Sequence, residues 1–159
     1  MSEDNLARMI ALAEEFFDMK NDPDQLSVDS RTMARLREIH PGTMSEESDE
    51  HGPIAWMLVI PTTGALMEEF VRGRINEREL LERTRPGMSY DALYLCSALV
   101  LPEYRRKGLA ARLASRALRS IMKDHPIRSL FYWGFSPAGR ALATGVARDF
   151  NLPLLAREA

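Results

Sequence analysis

The sequence predicts an α/β fold in which a central β-sheet is flanked by helices, with residues 1–159 forming one domain. Three observations carry this. Apolar runs at 54–60, 90–101 and 128–135 have strand length and end at or beside prolines. They alternate with stretches whose apolar residues recur every three or four positions, the helical repeat. The length of 159 residues suits one domain, since chains divide at about 100–200 residues per domain.

The elements follow in order. Leu6, Met9, Ile10, Leu12, Ala13, Phe16 and Phe17 share one helical face, with Glu14, Glu15 and Asp18 opposite, and Asn21-Asp22-Pro23 stops this helix. A second helix starts at Asp29 as N-cap, carries Thr32, Met33, Leu36 and Ile39, and ends at His40-Pro41-Gly42. The acidic stretch Ser45 to Glu50 reads as a solvated loop. Ile54 to Ile60, bracketed by Pro53 and Pro61, reads as a buried strand. Thr62 or Thr63 caps a helix through Leu66, Met67, Phe70 and Val71 that Gly73 closes. Asn76 with Glu79 forms a capping box for a further short helix. Residues 63–84 are thus a helical insertion between two strands.

Tyr90 to Leu101 is a longer strand stopped by Pro102. From Lys107 to Lys123, Leu109, Leu113, Ala117 and Ile121 form an apolar face, and Arg112, Arg116, Arg119 and Lys123 form a basic stripe. Arg128 to Phe135 is another strand. Ser136-Pro137 starts a helix that runs to about Ala147, and Leu152 to Ala156 adds a short terminal strand.

The net charge of −2 conceals an asymmetry. Residues 1–51 carry 5 basic and 13 acidic side chains, whereas residues 92–159 carry 11 and 4. The single cysteine, Cys96, excludes an intrachain disulfide framework and a cysteine-based zinc site, and suits a reducing cytoplasm. No apolar run approaches the roughly 20 residues of a membrane span. The start, Met-Ser-Glu-Asp-Asn, is acidic where a signal peptide is basic. The expectation is a cytoplasmic protein without a membrane partner.

Chemistry concentrates in Leu99-Val100-Leu101-Pro102-Glu103-Tyr104-Arg105-Arg106-Lys107-Gly108-Leu109-Ala110. A strand ends at proline, a basic turn follows, and a helix begins at a glycine, so unpaired backbone N–H groups converge at a positive helix terminus. Such a turn cradles anions: Gly108 admits a phosphate to the backbone, Ala110 keeps the next turn slim, and Arg105, Arg106 and Lys107 supply counter-charges. Neither the Walker A pattern nor the dinucleotide Gly-x-Gly-x-x-Gly occurs in the sequence.

Arg105-x-x-Gly108-x-Ala110, after Leu101-Pro102-Glu103-Tyr104 and before an apolar helix, resembles the acyl-CoA pyrophosphate motif of the GNAT superfamily of N-acyltransferases. Ser136-x-x-Gly139-x-x-Leu142 resembles that family's second cofactor segment. The resemblance covers about residues 92–143 and implies a GNAT-like mixed sheet with acetyl-CoA as acyl donor and no metal. Leu99 and Leu101 would offer backbone groups to the pantetheine arm, the N–H groups of Arg106, Lys107, Gly108, Leu109 and Ala110 would hold the pyrophosphate, and Ser136 would contact pantetheine. The strand carrying Leu99 would splay from that around Leu130 to Trp133, and an amine in the cleft would attack the thioester with help from a general base. The acceptor is a small-molecule or protein amine.

The sequence departs from that pattern. The helix after Ser136 places Ala143 where the family often has a proton-donating tyrosine. The strand from Tyr90 has no glutamate, only Asp91 near its start, and helices at 63–84 replace a strand hairpin. The chain is also short at its C-terminal end against the family, whose last two long strands have no counterpart. Tyr94 and Tyr132 are substitute acids, although tyrosines here, Tyr104 included, are mostly packing residues. Glu68 and Glu69 are acceptor-side carboxylates or a solvated face. Cys96 reads as a core thiol; His40, His51 and His125 as surface histidines; and Trp56, Trp133 and Phe135 as core or cleft wall. Two further functions stand beside acyl transfer: CoA binding without transfer, and nucleic-acid binding by the basic helix 107–123. The second is disfavoured by the acidic N-terminal half. A sheet edge left bare at the C-terminal end could be covered by a second copy in a homodimer.

Overall fold

The computed structural model describes residues 4–20, 30–134 and 136–158, with the backbone alone over 16–20. Helices α1 (Asn5–Lys20) and α2 (Ser30–Ile39) lead to strands β1 (Met44–Asp49) and β2 (Gly52–Thr62). Helices α3 (Gly64–Val71) and α4 (Glu77–Arg83) connect β2 to β3 (Ala92–Val100). Helix α5 (Leu109–Met122), β4 (Ser129–Gly134), α6 (Pro137–Phe150) and β5 (Leu154–Glu158) complete the chain. The sheet order is β1-β2-β3-β4-β5. Strands β1, β2 and β3 are antiparallel, and β3, β4 and β5 are parallel. The α/β class and the mixed sheet are therefore those expected.

The inserted helices form for the reasons legible in the sequence. The Thr63 side chain accepts from the Leu66 amide at 3.3 Å. Asn76 and Glu79 form a reciprocal capping box at 2.8 and 3.2 Å. Asp91 accepts from the Gly64 amide at 2.7 Å, so this carboxylate at the head of β3 serves as an anchor for α3.

Four expectations need correction. Ser45 to Glu50 is not a loop: residues 44–49 form edge strand β1, whose side chains are all half-buried or exposed, so its charged residues stay in reach of water. Leu6 and Ile10 are exposed, each at 45%, while Met9 is buried, so α1 seats a narrower apolar stripe than its sequence shows. Pro53 and Pro61 lie inside β2 rather than outside it. Pro53 sits at a register shift opposite Ser48, and Pro61 lies beyond Leu58, where pairing with β1 has ended, so neither breaks a central ladder. His40 is buried, not a surface residue. Its Nδ1 accepts from the Gly42 amide at 2.8 Å, so Nε2 is left to donate to Asp124 at 2.7 Å. Asp29, the stop at 21–23 and Phe135 lie outside the described residues, as do the side chains of Phe16 and Phe17.

The segment joining β3 to α5 is fastened from the N-terminal half. Arg8 of α1 donates two hydrogen bonds to Glu103 at 2.7 and 2.6 Å. The Tyr104 hydroxyl donates to Asp49 at 2.6 Å, and Asn5 donates to the other carboxylate oxygen at 2.8 Å. Hydrogen bonding from Arg8 holds the Glu103 carboxyl down at about 2, against an ordinary 4.5. With the folded value depressed, this fastening is complete above about pH 4.5 and is lost as pH falls towards 2. Replacing Arg8 by alanine is expected to return the Glu103 titration towards 4.5. Carboxyl NMR reads this directly, and an unchanged midpoint would show that another group holds the carboxylate.

Candidate functional site

Three backbone features converge at the end of β3. The first is the turn. The chain leaves β3 through a single 3-10 turn at Pro102–Tyr104 and then adopts left-handed backbone at Arg106 (φ 64°) and Gly108 (φ 74°). Successive backbone N–H groups in a turn with left-handed residues make a concave nest. The first helical hydrogen bond of α5 runs from the Arg112 amide to the Gly108 carbonyl at 3.0 Å. The amides of Leu109, Ala110 and Ala111 therefore have no partner within the helix and point out of its N-terminus. A Cβ on Gly108 would meet nothing within 4 Å, so its backbone conformation, not protein packing, requires glycine. Arg105, Arg106 and Lys107 are exposed around the nest. Donors, dipole, cations and open space fit a pyrophosphate-sized anion.

The second feature is a fork in the sheet. Strands β3 and β4 pair only over Ala92, Leu93 and Tyr94 with Ser129, Leu130 and Phe131. Beyond Tyr94 and Phe131 they part, although both run on towards helices that start at the same end of the sheet.

The third feature is a bulge. Leu58 faces Ser97 while Val59 faces Leu95, so Cys96 is an extra residue in β3 just past the fork. After the bulge, the Leu101 amide donates to the Ile54 carbonyl at 2.9 Å, and the Leu101 carbonyl accepts from Tyr104 at 2.9 Å. Alternation in an antiparallel ladder then turns Leu99 towards Trp56 as well. The Leu99 and Leu101 backbones, expected to offer groups to a pantetheine arm, thus face β2. The groups turned into the fork are those of Ala98 and Val100, and the Val100 carbonyl accepts from Arg105 Nε at 3.0 Å.

Ser136 and Gly139 have structural work at the start of α6. Ser136 Oγ accepts from the Gly139 amide at 3.0 Å, and a Cβ on Gly139 would lie 3.0 Å from that oxygen. Ala143 is buried. The stripe residues Arg112, Arg116 and Arg119 are exposed, with Arg116 3.6 Å from Glu47 and Arg119 over the Phe150 ring.

The acid–base candidates sit apart. Tyr94 is buried beside Phe70 and Phe131. Its hydroxyl donates to Glu77 at 2.6 Å, and burial, followed by the nearby Glu77 charge, pushes its pKa well above the ordinary value. A phenol held protonated and committed to a carboxylate is a structural donor, not an accessible acid. Tyr132, one residue after Phe131, points to the opposite face, where it is 5% exposed beneath Arg140 of α6. Glu68 is exposed on α3, and Glu69 lies 3.4 Å from Arg74.

The residue missed in the sequence is Glu77, fully buried at the first turn of α4, with Cys96 Sγ also 3.6 Å from its carboxylate. Only its place as the first residue inside a capping box signalled it, and that pattern does not reveal burial. Tyr94→Phe removes a buried donor from Glu77 and is expected to cost about 1–3 kcal/mol. Urea unfolding measures this, and no loss would show that the carboxylate depends on its other partners.

Among the described residues no helix is long and apolar enough to cross a membrane, and no group of three or more His, Cys, Asp or Glu could hold a metal ion. Nothing matches among curated proteins. Among solved structures the chain is similar to Naa20 of Chaetomium thermophilum, crystallised with a bisubstrate analogue. The match has 14% identity and a TM-score of 0.43, and covers 78% of this chain and 56% of that one. The model of the acetyltransferase (GNAT) family matches residues 13–144, a span that includes the fork, the bulge and the anion-binding turn. By that match the chain belongs to the acetyltransferase (GNAT) family.

Proposed function

We propose that the protein is an N-acyltransferase that moves an acetyl group from acetyl-CoA to an amine. The observation that carries this is the sequence of features along β3: fork, bulge, outward-turned Ala98 and Val100, then the nest at Arg106 to Ala110. A ligand with an extended amide-bearing arm joined to a pyrophosphate matches that order. The arm lies along β3 as a pseudo-strand, the diphosphate meets the nest, and the thioester reaches the fork beside Cys96. There a neutral amine attacks the carbonyl carbon, the tetrahedral oxyanion is stabilised by backbone N–H groups, the C–S bond breaks, and the proton given up by the amine nitrogen balances the one taken by the departing sulfur, releasing the thiol.

Acetyl-CoA is expected to raise the melting temperature, as any ligand that binds the native state does. Gly108→Tyr, which forces a bulky side chain into the open side of the nest, abolishes the rise. Gly108→Ala separates conformation from obstruction: left-handed alanine costs about 1–2 kcal/mol of stability while most of the binding space stays open. No rise with the wild-type protein at millimolar acetyl-CoA would contradict the assignment.

A second reading, acyl-CoA binding without transfer, is favoured by one observation: Tyr94 and Tyr132 are both buried, and Ala143 stands where an acid is expected. Thiol release from acetyl-CoA, measured with a broad amine panel, separates the two. Release with any amine supports the enzyme. A full thermal response without release across the panel supports the binding protein.

A further inference from the structure

A cavity of about 630 Å³ opens on the face of the sheet that carries α1 and α2. It lies within the range of about 300–1,000 Å³ typical of small-molecule sites. Its floor contains Trp56 and Leu58 of β2 and Ser97 and Leu99 of β3. The register puts these four on one face: Trp56 faces Leu99, Leu58 faces Ser97, and Ile60, two residues on, faces Tyr94. The cavity therefore begins one residue past the bulged Cys96 and extends across β2 to β1. Its roof is apolar, with Met33 and Leu36 of α2. At the far rim stands the exposed carboxylate of Glu46, which accepts from Trp56 Nε1 at 2.7 Å. Arg37 is the cationic member of the lining.

We infer that this cavity is the acceptor pocket and that it takes primary amines with an apolar body, not polyamines or other wholly polar amines. The inference rests on the N-acyltransferase reading for the direction of the chemistry, and on the cavity itself for the substrate class. Ser97, on the cavity floor one residue past the bulge, sets the orientation: the amine end lies there, at the side nearest the fork, and the body lies between Trp56 and Leu58 on the sheet and Met33 and Leu36 on α2. Burial of apolar surface favours such a body at about 25 cal/mol per Å². A second ammonium, as in a polyamine, would lie between the apolar walls beside Arg37, and the rim carboxylate of Glu46 already accepts from Trp56, which together disfavour it.

The test uses 2-phenylethylamine and spermidine on the whole protein, with Met33→Glu and Trp56→Ala as variants at two half-buried wall positions. Without acyl donor, 2-phenylethylamine is expected to raise the melting temperature of the wild type and spermidine is not, with the rise lost in both variants. With acetyl-CoA, the KM for 2-phenylethylamine lies at least tenfold below that for spermidine, and Met33→Glu raises it at least tenfold. An equal or better response to spermidine overturns the inference. So does stabilisation by octanoyl-CoA above that by acetyl-CoA that Met33→Glu removes, because the cavity would then house the acyl chain. The amine-only arm does not require transfer. Acetyl-CoA alone failing to stabilise the protein would sink the acyltransferase reading, whereas failure of 2-phenylethylamine alone would sink the acceptor class.

Discussion

The structure depends on one limit in strand pairing: β3 and β4 stay together for three residue pairs and then part. Parallel strands in the interior of a sheet ordinarily satisfy each other's backbone along their length, and exposed ladder groups are costly when they are buried unpaired. Here the Val100 carbonyl accepts from Arg105 Nε, and the remaining outward backbone groups of Ala98 and Val100 face the fork. The aromatic packing of Tyr94 against Phe131, with ring centroids 5.0 Å apart, closes the sheet at the last shared position. Just beyond it, the extra residue at Cys96 resets the alternation, which places Ser97 and Leu99 on the cavity face. The fork, the cavity-facing positions and the turn to α5 therefore follow one another along β3 and its exit.

The divided charge of the chain acquires a structural meaning in that frame. The acidic and basic portions are joined by contacts that cross between them: Arg8 on Glu103, Asp49 on Tyr104, and Glu47 near Arg116. The first two fix the turn between β3 and α5 without consuming Arg106, Lys107 or the amides of the nest. The turn is held by its flank, and its donors face outward. Surface pairs of this kind contribute little to global stability; their role is to hold a short segment in one geometry.

Much of this was legible in the sequence. Capping patterns at Thr63, Asn76 and Ser136 marked helix starts correctly because a cap is a local hydrogen bond among residues three apart. The turn from Pro102 to Gly108 was legible for the same reason: proline, basic residues and glycine act within ten positions. What was hidden depends on long-range register. Edge strand β1 has no apolar signature because it buries little side-chain surface. The backbone groups turned to the fork are Ala98 and Val100, not Leu99 and Leu101, which follows only from the partner of Leu101 across the sheet. Glu77 reads as a surface helix start until its burial against β3 is seen, and His40 reads as exposed until Asp124, 84 residues away, is found beside it.

The central claim, that an acyl-CoA arm continues the sheet at the fork and ends on the nest, is tested most directly by backbone amide NMR during titration with acetyl-CoA. The predicted result is that the largest shifts fall at Ala98, Val100 and residues 106–111, with small changes at Leu99 and Leu101, whose backbones face β2. Shifts concentrated instead on Arg112, Arg116 and Arg119, with Ala98 and Val100 unmoved, would place the ligand on the outer face of α5 and contradict the account.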